Sequence, residues 1–148
     1  MLYDSGRNYF DASAATEKIY NKFLSPICKE QNLTRNELDI LLFLYNNPEY
    51  DRAADIVSHR GIAKSHVSLG VASLEEKGLL LRCFDENDRR AAHLELTEPG
   101  REIAARARER QQQFFSVLYQ GISREEFEIW RNIVNKVYKN IENFEINP

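Results

Sequence analysis

The chain has 148 residues, enough for a single domain with a substantial core. Its 43% hydrophobic and 29% charged content, with only six Gly and four Pro, excludes wholesale disorder. A formal charge of −3 and a pI near 5.7 exclude a generally basic nucleic-acid coat, but leave room for a local basic site on an acidic body.

In chain order, the opening run MLYDSGRNYFDAS carries charge early and lacks an apolar core, so no signal peptide is expected. No later run approaches the roughly 18 apolar residues of a membrane span. Cys28 and Cys83 lie far apart with no C-x-x-C, which suits a reducing cytoplasm better than a disulfide scaffold. Between Phe10 and Gln31, steps of three and four residues link Phe10, Ala14, Ile19, Tyr20, Phe23, Leu24 and Ile27, predicting an amphipathic helix perturbed near Pro26. LTRNELDILLFLYNNP announces a second helix: Thr34 and Glu37 form a capping-box pair, and Asn46-Asn47-Pro48 is a stop. Apolar residues on nearly all its sides predict a central, buried helix.

DRAADIVSHRG predicts a short helix stopped by Gly61, and a further helix follows from about Lys64 to Lys77, with Gly78 as its stop. Val67, Val71 and Leu74 make one narrow apolar face there, leaving Lys64, Ser65, His66, Ser68 and Ser73 to point elsewhere. Two short helices joined through Gly61-Ile62-Ala63 form a helix-turn-helix pattern. The period then changes: LLLRCF and AAHLELT alternate as short strands, with Ala92, Leu94 and Leu96 on one side and His93, Glu95 and Thr97 on the other. A long helix restarts at TEPGRE, with Thr97 as its cap and Pro99 in its first turn. Polar through Arg101–Gln113, it reads as a solvent-spanning connector. Ser123 and Glu126 cap a last amphipathic helix whose apolar set is Phe127, Trp130, Ile133, Val134, Val137, Tyr138, Ile141 and Phe144. The order is four helices, a hairpin and two helices.

The run GIAKSHVSLGVASLEEKGLLLRCFDENDRRAAHLELTEPGRE resembles the MarR family of winged-helix transcriptional regulators. Three features carry the resemblance: the helix ending LEEKGL, the acidic-then-basic tip DENDRR, and the LTEPGRE restart. The resemblance implies a mainly α fold. A winged helix-turn-helix DNA-binding lobe spans about 33–100, and the N- and C-terminal helices, about 8–31 and 110–145, form a dimerisation region, all within one domain, 1–148. It also implies a homodimer on a pseudo-palindromic DNA operator, acting as a repressor, with release by a small-molecule effector as a common family trait.

On that basis Lys64, Ser65, His66, Ser68 and Ser73 are candidate DNA contacts in the major groove, where a helix offers side chains to base edges and phosphates. At the wing, the family's Asp-x-Arg pattern falls on Asp88 and Arg90. Arg90 is assigned to the minor groove, Arg89 to a neighbouring phosphate and Asp88 to bracing the hairpin; the two arginine roles are interchangeable at the level of sequence. Ala63 and Leu69 depart from the family, which commonly has Ser or Thr and Arg there. Ser65 is then an alternative cap. From Arg52 to Arg101 eight Lys/Arg balance eight Asp/Glu, so modest, strongly salt-dependent affinity is expected. Tyr20, Phe23, Tyr45 and Phe114 are candidates for an effector pocket. The apolar stripes of the terminal helices call for a second subunit.

No catalytic motif, metal site or cofactor is expected: His59, His66 and His93 have no carboxylate or cysteine at ligand spacing. Cys83 reads as a small buried hydrophobe and Cys28 as a helix-end thiol, with oxidant sensing the alternative for either. The rival to a regulator is a winged-helix protein-interaction module that has lost DNA binding.

Overall fold

A computed structural model describes residues 6–85 and 88–146, with side chains described for 11–84 and 92–144. The elements are α1 (Gly6–Gln31), α2 (Arg35–Asn46), α3 (Ala53–Arg60), α4 (Lys64–Glu76), β1 (Leu80–Asp85), β2 (Asp88–Leu96), α5 (Glu98–Leu118) and α6 (Arg124–Ile146). They form two compact units, Met1–Phe114 and Phe115–Pro148, the division falling within α5.

In the first unit α2 is the core element. Thr34 caps it by the capping box foreseen in the sequence: its hydroxyl accepts from the Glu37 amide at 3.2 Å, and its own amide donates to Glu37 Oε2 at 2.7 Å. Leu38, Ile40, Leu41, Leu42, Phe43 and Leu44 are all buried, so the helix is covered nearly all round. α1 runs through Pro26 without a break and contributes Leu24 and Ile27 to the same core. It stops because Asn32 adopts a left-handed conformation (φ 52°), letting the Leu33 amide reach back to the Cys28 carbonyl at 2.8 Å.

α3 ends at Gly61 (φ 63°), as its sequence dictates. α4 then begins behind Ala63 with no side-chain cap, so Ser65 does not fill that role. Gly70, an apparent weak point in mid-helix, lies where α4 meets α2. A Cβ there would sit 2.5 Å from Ile40 Cδ1 and 2.7 Å from Asn36 Nδ2, so a small residue lets the two helices close up.

β1 and β2 pair antiparallel, with Leu80 opposite Leu96, Arg82 opposite Leu94 and Phe84 opposite Ala92. Leu80, Leu94 and Leu96 are buried while Leu81 and Glu95 are exposed, the alternation the sequence predicts. The hairpin is tied at its neck: Thr97 donates its amide to Leu79 O (3.2 Å) and its hydroxyl to Gly78 O (2.7 Å). The same hydroxyl accepts from the Gly100 amide at 3.2 Å, opening α5. Gly100 is required by proximity, because a Cβ would lie 2.0 Å from the Leu79 carbonyl oxygen.

The reading of Arg101–Gln113 as a solvent-spanning connector is corrected by the structure. Ile103, Ala104 and Ala107 are buried at helical spacing against the first unit. The polar side chains between them are engaged as well. Arg106 meets Glu30 at 2.6 Å, Arg108 donates to Asn46, and Gln111 bridges Asn46 (3.1 Å) to the Tyr20 hydroxyl (2.8 Å). Alanines pack closely without looking hydrophobic in a run dominated by arginine and glutamine.

In the second unit Tyr119 stacks on Phe115 and meets Phe127 and Trp130 edge-on or tilted, with centroids 5.0–5.9 Å apart. Ser123 and Glu126 close the expected capping box on α6. Ile129, Ile133, Val137, Tyr138, Ile141 and Phe144 are all more than half exposed, an apolar face left open among the described residues of this unit.

Candidate nucleic-acid interface

α4 turns Val67, Gly70, Val71 and Leu74 into the core. At about 100° per residue, that places Ser65, Leu69 and Ala72 on the diametrically opposite side, with Ser68 beside them. Lys64, Ser65, His66 and Ser68 are all exposed in the first turn and a half, so the structure brings these four candidates together at one end of the helix. Ser73 stands apart. It is half-buried, lies about 140° round the helix from Ser68, and its hydroxyl donates to Glu37 Oε1.

That bond belongs to a device the sequence did not disclose. Glu37 is the buried charged residue of the described core, at 3% exposure. Its carboxylate accepts from Lys77 Nζ at 2.8 and 2.9 Å, from the Ser73 hydroxyl and from the Thr34 amide. Burial works against the charge, but these donors outweigh it and hold the Glu37 pKa below the ordinary glutamate value. Lys77 also donates to the Asn32 carbonyl at 2.9 Å. At the other end of α4, Asn36 Nδ2 donates to the His66 carbonyl at 2.8 Å. Two successive residues of α2 thus hold α4 near both ends. Glu37 announced itself in the sequence only as a cap; its partners lie 36 and 40 residues away, beyond any local pattern.

The hairpin is fixed to the same lobe. Leu94 donates its amide to Asp51 O at 2.7 Å, His93 Nδ1 lies 2.9 Å from Asp51 Oδ2, and Arg82 Nε lies 3.6 Å from Glu75 Oε2 on α4. A groove of about 530 Å³ runs between helix and hairpin, lined in part by Arg52, Ala54, Ser68, Arg82 and Phe84. Asp88, Arg89 and Arg90 fall on β2, but their side chains, and the tip at 86–87, lie outside the described residues.

Of the aromatic quartet, Tyr20, Phe23 and Phe114 form one cluster, with Phe114 4.8 Å from Tyr20 and 5.8 Å from Phe23 between centroids. Arg35 lies over the outer face of Tyr20 at 4.7 Å. Tyr45 is not in that cluster. It lines a separate cavity of about 510 Å³ with Asn47, Tyr50, Asp51 and Arg101. Both cysteines are half-buried and free, and burial raises both thiol pKa values, with Glu95 adding to the effect at Cys83. Among the described residues no three His, Cys, Asp or Glu side chains gather as a metal site, and no helix is long and apolar enough to cross a membrane.

Comparison with known proteins agrees with this geometry. The chain is 25% identical, over 76% of its length and 68% of the relative's, to the uncharacterized HTH-type transcriptional regulator YdgJ of Bacillus subtilis. Its fold is similar to that of a MarR-family transcriptional regulator from Listeria monocytogenes complexed with 26mer DNA, with a TM-score of 0.78, 21% identity, and 93% and 88% of the two chains covered. It is also similar in fold to NadR in complex with 4-hydroxyphenylacetate, with a TM-score of 0.71, 20% identity, and 89% and 90% covered. The MarR family model matches residues 31–91, the stretch that holds α2, α3, α4, β1 and the start of β2, and over that stretch the chain is similar to the MarR family.

Proposed function

We propose that the protein binds double-stranded DNA as a homodimer and represses transcription from a pseudo-palindromic operator. The observation that carries this reading is the outward face of α4. Lys64, Ser65, His66 and Ser68 stand together in solvent at the start of a helix that Glu37 and Asn36 clamp at both ends. A clamped helix with a small-residue outer face enters a major groove without reorganising, which lowers the entropic cost of docking. The fold's likeness to a regulator complexed with DNA supports the same reading.

Dimerisation is supported by the uncovered apolar face of α6, which a second copy would bury along an isologous interface. Two α4 helices and two wings would then be held at the spacing of successive grooves, and a change in the angle between subunits would control affinity. Arg90 in the minor groove, Arg89 on a phosphate and Asp88 bracing the tip complete the proposed contact set. A small molecule bound near Tyr20, Phe23 and Phe114, with Tyr45 left to its separate cavity, would be the effector, a role supported by the likeness to NadR, which is seen in complex with 4-hydroxyphenylacetate.

Fluorescence anisotropy with an A·T-rich duplex at several salt concentrations tests the reading. Binding should weaken steeply with salt, and Arg90→Ala should lose more than Arg89→Ala. A flat response for the unmodified protein, indifferent to Arg90→Ala, would leave the protein-interaction module as the better description.

A further inference from the structure

The solvent face of α4 is unusual in what it lacks. Its central strip consists of Ser65, Ser68, Leu69 and Ala72, with no Arg, Lys, Asn or Gln among them. Of the helix's charged residues, Lys64 sits at its first position, Glu75 faces Arg82 of the hairpin, and Glu76 continues the strip only in the last turn, seven residues beyond Leu69. Leu69 is 69% exposed, more than any other large apolar side chain described in the first unit. It is also the longest side chain of the strip, flanked by groups small enough to bring the helix backbone close to whatever the strip touches.

Those properties choose among the features of a major groove. The bidentate pairings that read guanine or adenine need Arg, Lys, Asn or Gln, and the strip offers none. The one apolar group that base pairs present in that groove is the 5-methyl of thymine. An isobutyl group projecting from the centre of the strip, between two hydroxyls, matches that methyl in size and chemistry. We infer that Leu69 is a specificity-determining residue that reads thymine through its 5-methyl group, once in each half-site. This rests on the DNA-binding reading above and adds to it the identity of the base and the side chain that selects it.

The test begins with selection of a tight duplex from a randomised library by the full-length protein. Each thymine of the selected duplex is then replaced in turn by deoxyuridine, which removes only the methyl group. One thymine per half-site should show an affinity loss of about fourfold on replacement, the worth of one buried methyl-sized group. With Leu69→Ala the thymine and deoxyuridine duplexes should bind equally. Leu69→Arg, selected afresh, should exchange thymine for guanine at the same position. Leu69 is exposed, so both variants should keep the helical circular dichroism of the parent. A scan with no sensitive thymine, or one equally sensitive in Leu69→Ala, overturns the inference while leaving DNA binding intact. If the unmodified protein retains no duplex even at low salt, the DNA-binding reading falls and this inference with it.

Discussion

Lys77, the C-cap of α4, closes a two-pronged ion pair on Glu37, buried in the first turn of α2, with its Nζ within 2.9 Å of both carboxylate oxygens. The pair is asymmetric: Lys77 keeps about a third of its side chain in solvent, while Glu37 keeps almost none. Removing the lysine therefore strands a buried anion, whereas removing the anion releases a lysine that can turn to water. Lys77→Met should cost about 2–3 kcal/mol, and Glu37→Gln, which retains hydrogen-bonding capacity, about 1–2 kcal/mol. Urea unfolding monitored by circular dichroism would rank them, and the reverse order would refute the asymmetry.

The same carboxylate makes stability depend on acid. Its folded pKa lies below the unfolded value of about 4.3, so the unfolded chain binds the proton first. The contribution is complete above the unfolded pKa and disappears as pH falls through the folded one. The stability gap between the parent and Glu37→Gln should therefore be constant from pH 7 to 5 and shrink below pH 4.5. Asp39 works with the opposite sign, because burial, only partly offset by Arg35, raises its pKa. Asp39→Asn should compare more favourably with the parent at pH 7 than at pH 3.

Gly100 and Gly70 are both close-approach positions, but their obstacles differ. A Cβ at Gly100 meets the Leu79 backbone carbonyl at 2.0 Å; at Gly70 it meets the side-chain ends of Ile40 and Asn36. Gly100→Ala should cost about 2–3 kcal/mol, since the backbone must move and only part is recovered through helix propensity. Gly70→Ala should cost less than Gly100→Ala in thermal unfolding. It should nevertheless weaken DNA binding several-fold, because Asn36 must leave the His66 carbonyl at the start of α4.

If α6 forms the dimer interface, an aspartate at Val137 places an unpaired charge in it. Val137→Asp should shift the protein from dimer to monomer in sedimentation velocity and lower DNA affinity at least tenfold, since two half-sites no longer bind as one. A dimer that persists unchanged would move the interface elsewhere.

Local chemistry made the helices and the hairpin legible. The Thr34–Glu37 and Ser123–Glu126 boxes, the Gly61 stop and the alternation through Leu94 and Leu96 each depend on residues a few positions apart, and all appear in the structure. What the sequence hid is non-local or small. Ala104 and Ala107 bury a helix face without raising its hydropathy, and Asn32 ends α1 in a conformation usually left to glycine. Ser73 looked like one more polar group for DNA until its partner, 36 residues earlier, came into view. Leu69 read as a departure from a family pattern; its meaning depends on which way the helix turns it.

The knot at Thr97, which ties its amide to Leu79 and its hydroxyl to Gly78, has an evolutionary corollary. Everything between those anchors is a closed excursion whose ends are fixed independently of its tip. Length and charge at the tip are therefore free to drift, or to be transplanted from a relative, while the helices beneath keep their places. Substitutions beyond the neck can thus accumulate without loosening the joint between the hairpin and α5.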